Sequence, residues 1–152
     1  MMSMLKTITL VAFLPVFGIS VHAQSVVDWK FSSKKIADKT YEVHLTATVD
    51  EPWHIYSQST PKGGPLPTTI SFTKNPIAQF SGRPKEVGEM EMYHDNIFDV
   101  DVYSYANKVD FVQIVKLKSP VKTNISGSVQ FMACTKEQCL TPQKLNFNIK
   151  LD

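Results

Sequence analysis

The sequence predicts an all-β domain, an immunoglobulin-like antiparallel β-sandwich. Three observations carry that expectation. Tyr41–Val49 alternates cleanly, with Tyr41, Val43, Leu45, Ala47 and Val49 on one face, as in a strand with one side against a core. Ile125–Ala133 alternates in the same way, with Ile125, Gly127, Val129, Phe131 and Ala133 inward. Gly- and Pro-rich turns separate such runs, and no window carries a helical period.

Taken in chain order, the first element is an export signal. One lysine, Lys6, precedes a mostly apolar run, Thr7–Val21, which ends in Val21-His22-Ala23. This pattern predicts a signal peptide over residues 1–23, cleaved after Ala23, and one domain over residues 24–152. An uncleaved anchor is the competing reading, but the run is short for a spanning helix and is interrupted by Pro15 and Gly18. The predicted address is therefore the periplasm.

Ser25–Phe31 then reads as a strand, followed by Tyr41–Val49 and Thr69–Thr73. Pro61-Lys-Gly-Gly-Pro-Leu-Pro67 fits neither a helix nor a central strand. Val100–Tyr105 reads as another strand. Phe111–Leu117 is apolar on both faces, as a central strand would be. Ile125–Ala133 follows, and Leu145, Phe147, Ile149 and Leu151 mark the inward side of the last strand. The Cys…Trp…Cys spacing of antibody domains is absent. A formal charge of +2 gives no sign of nucleic acid or an anionic membrane as partner.

The only two cysteines, Cys134 and Cys139, lie where one strand turns into the next. A four-residue loop sets them opposite each other, about 4.5–5.5 Å apart at Cα and within disulfide range. Alternation puts Cys134 on the face of Gln130 and Met132, away from the core, so its sulfur is expected to be reachable. There is a parity conflict. Pairing 134 with 139 also pairs Ser128 with Leu145, outward against inward, so one extra residue must intervene, most naturally at Thr141-Pro142. Closing so short a loop stabilises the fold by roughly 2 kcal/mol. Spacing and compartment alone leave a structural staple and a redox pair both open.

Four segments carry a resemblance. They are Trp53-His-Ile-Tyr-Ser-Gln58, Gly63-Gly-Pro-Leu-Pro-Thr68, Tyr93-His-Asp95 with Phe98 following, and Gly127–Cys134 continuing to Cys139-Leu-Thr-Pro142. In these the chain resembles the N-terminal periplasmic domain of the thiol reductase DsbD, the disulfide-bond corrector family. The resemblance implies an immunoglobulin-like fold and a redox-active cysteine pair, with no cofactor. It implies a membrane-embedded thiol reductase as electron donor and thioredoxin-fold periplasmic proteins as recipients. It makes Cys139 the residue that joins partners in mixed disulfides and Cys134 the one that resolves them. It also implies a cap loop with an aromatic over the pair, at Asp95-Asn-Ile-Phe98.

Three departures stand out. The membrane and thioredoxin-like domains of DsbD are not in this sequence, which implies a donor on a separate chain. The cysteine spacing is one residue shorter, with one proline following rather than two. The cap lacks the Phe-Tyr-Gly of DsbD, which leaves Ile97 and Phe98 as competing cap residues.

Tyr56, Tyr93 and Phe98 are candidates for an aromatic shelf beside the sulfurs, or for core. His54 either shapes the site or packs. Lys136 in the loop favours a thiolate and Glu137 opposes it. Met90, Met92 and His94 share one face of an extended segment, and soft ligands at that spacing suit Cu(I). A strand edge with Met as filler is the preferred reading there. Three functions remain in view: a thiol-disulfide relay, a binding scaffold with a structural disulfide, and a copper module.

Overall fold

The computed structural model describes residues 25–152, and the predicted signal peptide lies outside them. Among the described residues, ten antiparallel strands form two sheets, and no helix interrupts them. They are β1 (Val27–Ala37), β2 (Thr40–Val49), β3 (His54–Tyr56), β4 (Thr69–Phe72), β5 (Ala78–Phe80), β6 (Lys85–Asp95), β7 (Val100–Leu117), β8 (Thr123–Phe131), β9 (Ala133–Cys134) and β10 (Gln143–Leu151). The larger sheet runs β1-β2-β7-β3-β9, with β5 and β6 on the other edge of β7. The smaller sheet runs β10-β8-β4.

The alternation of β2 is realised as expected. Tyr41, Val43, Leu45, Ala47 and Val49 are all buried. They meet Phe111 and Val115 of β7 and, from the smaller sheet, Ile125, Val129, Phe131, Phe147, Ile149 and Leu151. Trp29 of β1 stacks on Phe111 at 5.9 Å and tilts against Phe131 at 5.3 Å, tying the two sheets together. Such aromatic pairs each add about 0.5–1.5 kcal/mol beyond area burial.

Several elements differ from the expectation. Val100–Tyr105 and Phe111–Leu117 are not two strands but parts of one, the 18-residue β7. Its register against β6 shifts between Gly88 and Met90, and Asn107 sits there at φ 63°. The apparent break is thus a bulge, at a residue type that tolerates the left-handed region. It divides β7 in two. Lys108–Lys116 pairs with β2 over the main core, while Ser104 and Tyr105 pair with β3.

β6 is a full strand rather than a merely extended segment. It is exposed along most of its length, so it shows no period-2 signal. β1 runs six residues past Phe31, through a polar stretch held to β2. β3 and β5 are three-residue strands, too short for periodicity to mark. Leu145 is 38% exposed rather than inward, near the start of edge strand β10.

The parity conflict has a tertiary solution. β8 belongs to the smaller sheet, with Phe131 opposite Gln143. After Met132 the chain crosses to the larger sheet, where β9 pairs with β3. Cys134 then bridges to Cys139 outside both ladders. The extra residue is absorbed by this change of sheet and by the unladdered Thr141-Pro142.

Candidate functional site

The hairpin that carries the cysteines is closed by its own backbone. Thr135 N donates to Gln138 O at 2.8 Å, and Leu140 N donates to Ala133 O at 2.9 Å. The hydroxyl of Thr135, itself buried, accepts from Glu137 N and Gln138 N, both at 3.2 Å. A threonine side chain thus serves the turn donors that the ladder leaves free. Cys134 and Cys139 are disulfide-bonded, with 4.0 Å between Cα atoms, somewhat closer than a regular pair.

The two sulfur-bearing residues are not equivalent. Cys139 is half-buried, while Cys134 is 0% exposed, which corrects the expectation of a reachable Cys134 sulfur. Parity names the face correctly, but that face is not open to solvent. A second apolar cluster covers it. Tyr56, Val102, Met132 and Cys134 are buried together, with Leu66, Tyr93, Phe98, Val100 and Cys139 packed against them.

Register explains how these residues meet. Tyr56 lies opposite Ser104, which is also opposite Glu91. Tyr93 lies opposite Val102, Asp95 opposite Val100, and His54 opposite Cys134. Paired residues share a face, so four strands contribute to one surface of the larger sheet. Ile55 and Ala133 point the other way, into the main core. The Gly63–Pro67 loop reaches this surface as well. Gly64 packs so close to Val100 that an added Cβ would stand 3.0 Å from its methyl, and Leu66 joins the cluster.

The β6–β7 connection lies over the same surface. Asp95 organises it: one carboxylate oxygen accepts from Ile97 N at 2.8 Å and Phe98 N at 3.2 Å. Asp99 N donates to the Asp95 carbonyl at 2.7 Å, with Asp99 at φ 57°. Asp95 is itself buried, and its other oxygen accepts from the Tyr56 hydroxyl at 3.1 Å. Of the two competing cap residues, Phe98 packs on the cysteine cluster and Ile97 is 52% exposed.

A polar chain continues from Asp95. The Tyr56 hydroxyl lies 3.1 Å from His54 Nε2, and the Tyr93 hydroxyl lies 2.6 Å from the same nitrogen. Burial pushes the Tyr56 phenol well above its ordinary range, reinforced by the Tyr93 hydrogen bond and the Asp95 carboxylate. Burial likewise raises Tyr93. Burial lowers His54, partly offset by the Asp95 and Glu91 carboxylates, so at neutral pH its imidazole is uncharged. A cleft of about 560 Å³ opens beside the hairpin, lined by Trp53, His54, Tyr93, Asp95, Ile97 and Lys136.

Met90, Met92 and His94 fall on the other face of β6. Met90 and Met92 are exposed, and the ring nitrogens of His94 are held by Asp101 at 3.0 Å and Asp99 at 3.1 Å. Those bonds raise the His94 pKa, Asp101 contributing most. No cluster of three or more His, Cys, Asp or Glu suited to a metal exists among the described residues. Sequence reasoning underrated His54 and did not single out Val102, Leu66 or Met132. The one local signal was the His54/Tyr56 spacing of two, which puts both on one strand face.

Comparison with known proteins shows the family and the fold. The family described as "Thiol:disulfide interchange protein DsbD, N-terminal" matches residues 22–151. The fold is similar to the Neisseria meningitidis DsbD N-terminal domain in its reduced form, at 13% identity over 84% of this chain and 86% of that one, TM-score 0.54. It is also similar to the N-terminal periplasmic domain of ScsB from Proteus mirabilis, at 17% identity over 80% of this chain and 44% of that one, TM-score 0.51. No curated protein sequence matches the chain. With the family match covering nearly all of the described residues, the chain belongs to the DsbD N-terminal domain family.

Proposed function

We propose that this domain exchanges thiols and disulfides outside the cytoplasm through Cys134 and Cys139, relaying reducing equivalents to thioredoxin-fold partners. The observation that carries the reading is the unequal exposure of the pair. Cys139 is half-buried at the end of the hairpin, whereas Cys134 is fully buried. An incoming partner meets Cys139 first, and Cys134 attacks only from inside. A purely structural staple needs no such asymmetry.

The exchange balances in two steps. The Cys139 thiolate attacks one sulfur of the partner's disulfide, forming a mixed disulfide and releasing the partner's other sulfur as a thiolate. Cys134 then loses its proton and attacks the Cys139 sulfur. The Cys134–Cys139 bond forms, the mixed disulfide breaks, and the partner leaves with two electrons. A membrane-embedded thiol reductase restores the dithiol by the reverse sequence. An N-terminal signal peptide, cleaved after Ala23, would deliver the domain to the periplasm, the compartment named for the ScsB domain of similar fold.

No helix N-terminus is present at the hairpin to activate a thiol, so intrinsic reactivity is expected to be modest and docking to supply the speed. Phe98 and the Asp95 turn then act as a cover that a partner displaces. Phe98→Ala is expected to raise the alkylation rate of the reduced domain about tenfold, as exposure controls thiol access. Mass spectrometry of timed iodoacetamide reactions reads this, and an unchanged rate would remove the cap role from Phe98.

The deciding measurement is the reduction potential of the pair, by equilibration with glutathione. A value above about −250 mV is expected for an exchanging pair. A value below about −300 mV would mark a structural disulfide and favour the scaffold reading.

A further inference from the structure

We propose that His54 is the proton acceptor for the Cys134 thiol in the step that resolves the mixed disulfide. The inference rests on the exchange reading above and deepens it. Buried thiols are poor nucleophiles, because loss of solvent disfavours the thiolate. Cys134 is fully buried and its immediate cluster is apolar apart from tyrosine hydroxyls. It therefore needs a base that reaches it from within the fold, and water is excluded.

His54 is placed for that work. It lies directly opposite Cys134 in the β3–β9 ladder. Such a pair shares one face, with Cβ atoms about 4.5–5.5 Å apart. The imidazole is clamped edge-on between Tyr56, at 5.2 Å, and Tyr93, at 5.5 Å between ring centres. The role requires the tautomer protonated at Nε2. Tyr56 gives its single hydroxyl proton to Asp95, so its oxygen can accept from Nε2–H at 3.1 Å, and the Tyr93 oxygen, 2.6 Å from the same nitrogen, shares that proton. Nδ1 is then left with a lone pair, and it has no hydrogen-bond partner among the described residues. Burial lowers the imidazole pKa, which keeps this base free at neutral pH.

The groups that face His54 are Tyr56 on its own strand, Glu91, Tyr93 and Asp95 on β6, and Cys134 on β9, with Lys136 across the cleft; His94, on the other face of β6, borders the cleft with its ring nitrogens held by Asp99 and Asp101. Glu91 and Asp95 stabilise the imidazolium that forms when the proton arrives. In the step, His54 takes the proton from the Cys134 sulfur, and the thiolate attacks the Cys139 sulfur. The Cys134–Cys139 bond forms as the Cys139–partner bond breaks. The departing partner sulfur carries away the electron pair and takes the proton from His54.

The test uses the reduced domain and 5,5′-dithiobis(2-nitrobenzoate). Cys139 attack releases one coloured thiolate and leaves a mixed disulfide; attack by Cys134 releases the second. In the wild type the second phase should weaken as pH falls through the His54 pKa, below 6.5. His54→Gln, which can still donate to Tyr56, should slow the second phase about 100-fold at pH 7. Its second phase should then rise with pH toward the thiol range instead. His54→Ala should regain much of the rate with added imidazole. A second phase in His54→Gln with wild-type rate and pH profile would overturn the role of His54 and leave exchange standing. A wild type that releases no second thiolate would overturn both.

Discussion

Cys139→Ser is expected to abolish disulfide exchange while leaving the domain folded. The loss of activity should be complete, because no other thiol can form the mixed disulfide: Cys134 is the only remaining sulfhydryl and is 0% exposed. The loss of stability should be small. A closed loop of about six residues contributes roughly 2 kcal/mol through the unfolded state. The two-sheet core around Phe111, Phe131 and Trp29 is independent of it. The checks are turnover of an oxidised thioredoxin-fold substrate and a thermal melt of the same sample. A variant that aggregates or melts without cooperativity would show that the bond is a staple, against the relay. Retained exchange would show that the chemistry lies elsewhere.

The largest expected effect on stability comes from Gly127→Ala. Gly127 sits in the central strand of the smaller sheet, opposite Phe147 on one side and Phe72 on the other. A Cβ there would collide with the Ser71 carbonyl and come within 2.6 Å of the Phe147 ring. Phe147 cannot easily give way, since it is packed against Phe31 at 5.4 Å and Phe72 at 5.6 Å. Nor can the carbonyl, which belongs to the paired strand. The cost should be about 3 kcal/mol, the upper end for overpacking. For a domain of this size that lowers Tm by about 10 °C. A melt within a degree or two of wild type would mean that β4 shifts freely, and that the close approach has no energetic weight.

The sandwich was legible because its long strands announce themselves locally. In β2 and β8 every second residue is apolar, and that pattern survives folding almost unchanged. β6 and the far end of β1 were not legible as strands. Both are exposed and polar, and their pairing with β7 and β2 comes from neighbours rather than from their own periodicity. The bulge at Asn107 hid the length of β7, since a break in alternation reads the same whether the chain turns or merely kinks.

The candidate site divides in the same way. The cysteine hairpin could be read from spacing, and its parity conflict correctly required an irregularity. That the irregularity is a change of sheet at Met132 could not be read, because both sheets accept the same alternating pattern. The copper reading of Met90, Met92 and His94 also depended on an unknown. Spacing placed them on one face, and the structure turns that face away from the cysteines and gives the His94 nitrogens to Asp99 and Asp101.

By itself, the sequence determined the all-β class, the inward faces of the main strands and the position of the two cysteines. Each depends on neighbours within a few residues, and side-chain alternation encodes that directly. The tertiary structure alone decided that Cys134 is buried, that Phe98 rather than Ile97 packs over it, and that His54, Tyr56, Tyr93 and Asp95 form one polar chain beside it. Alternation names the face a side chain occupies but not what lies across from it. Here the covering residues come from segments some 40 to 80 positions apart, joined only when β6, β7, β3 and β9 pair.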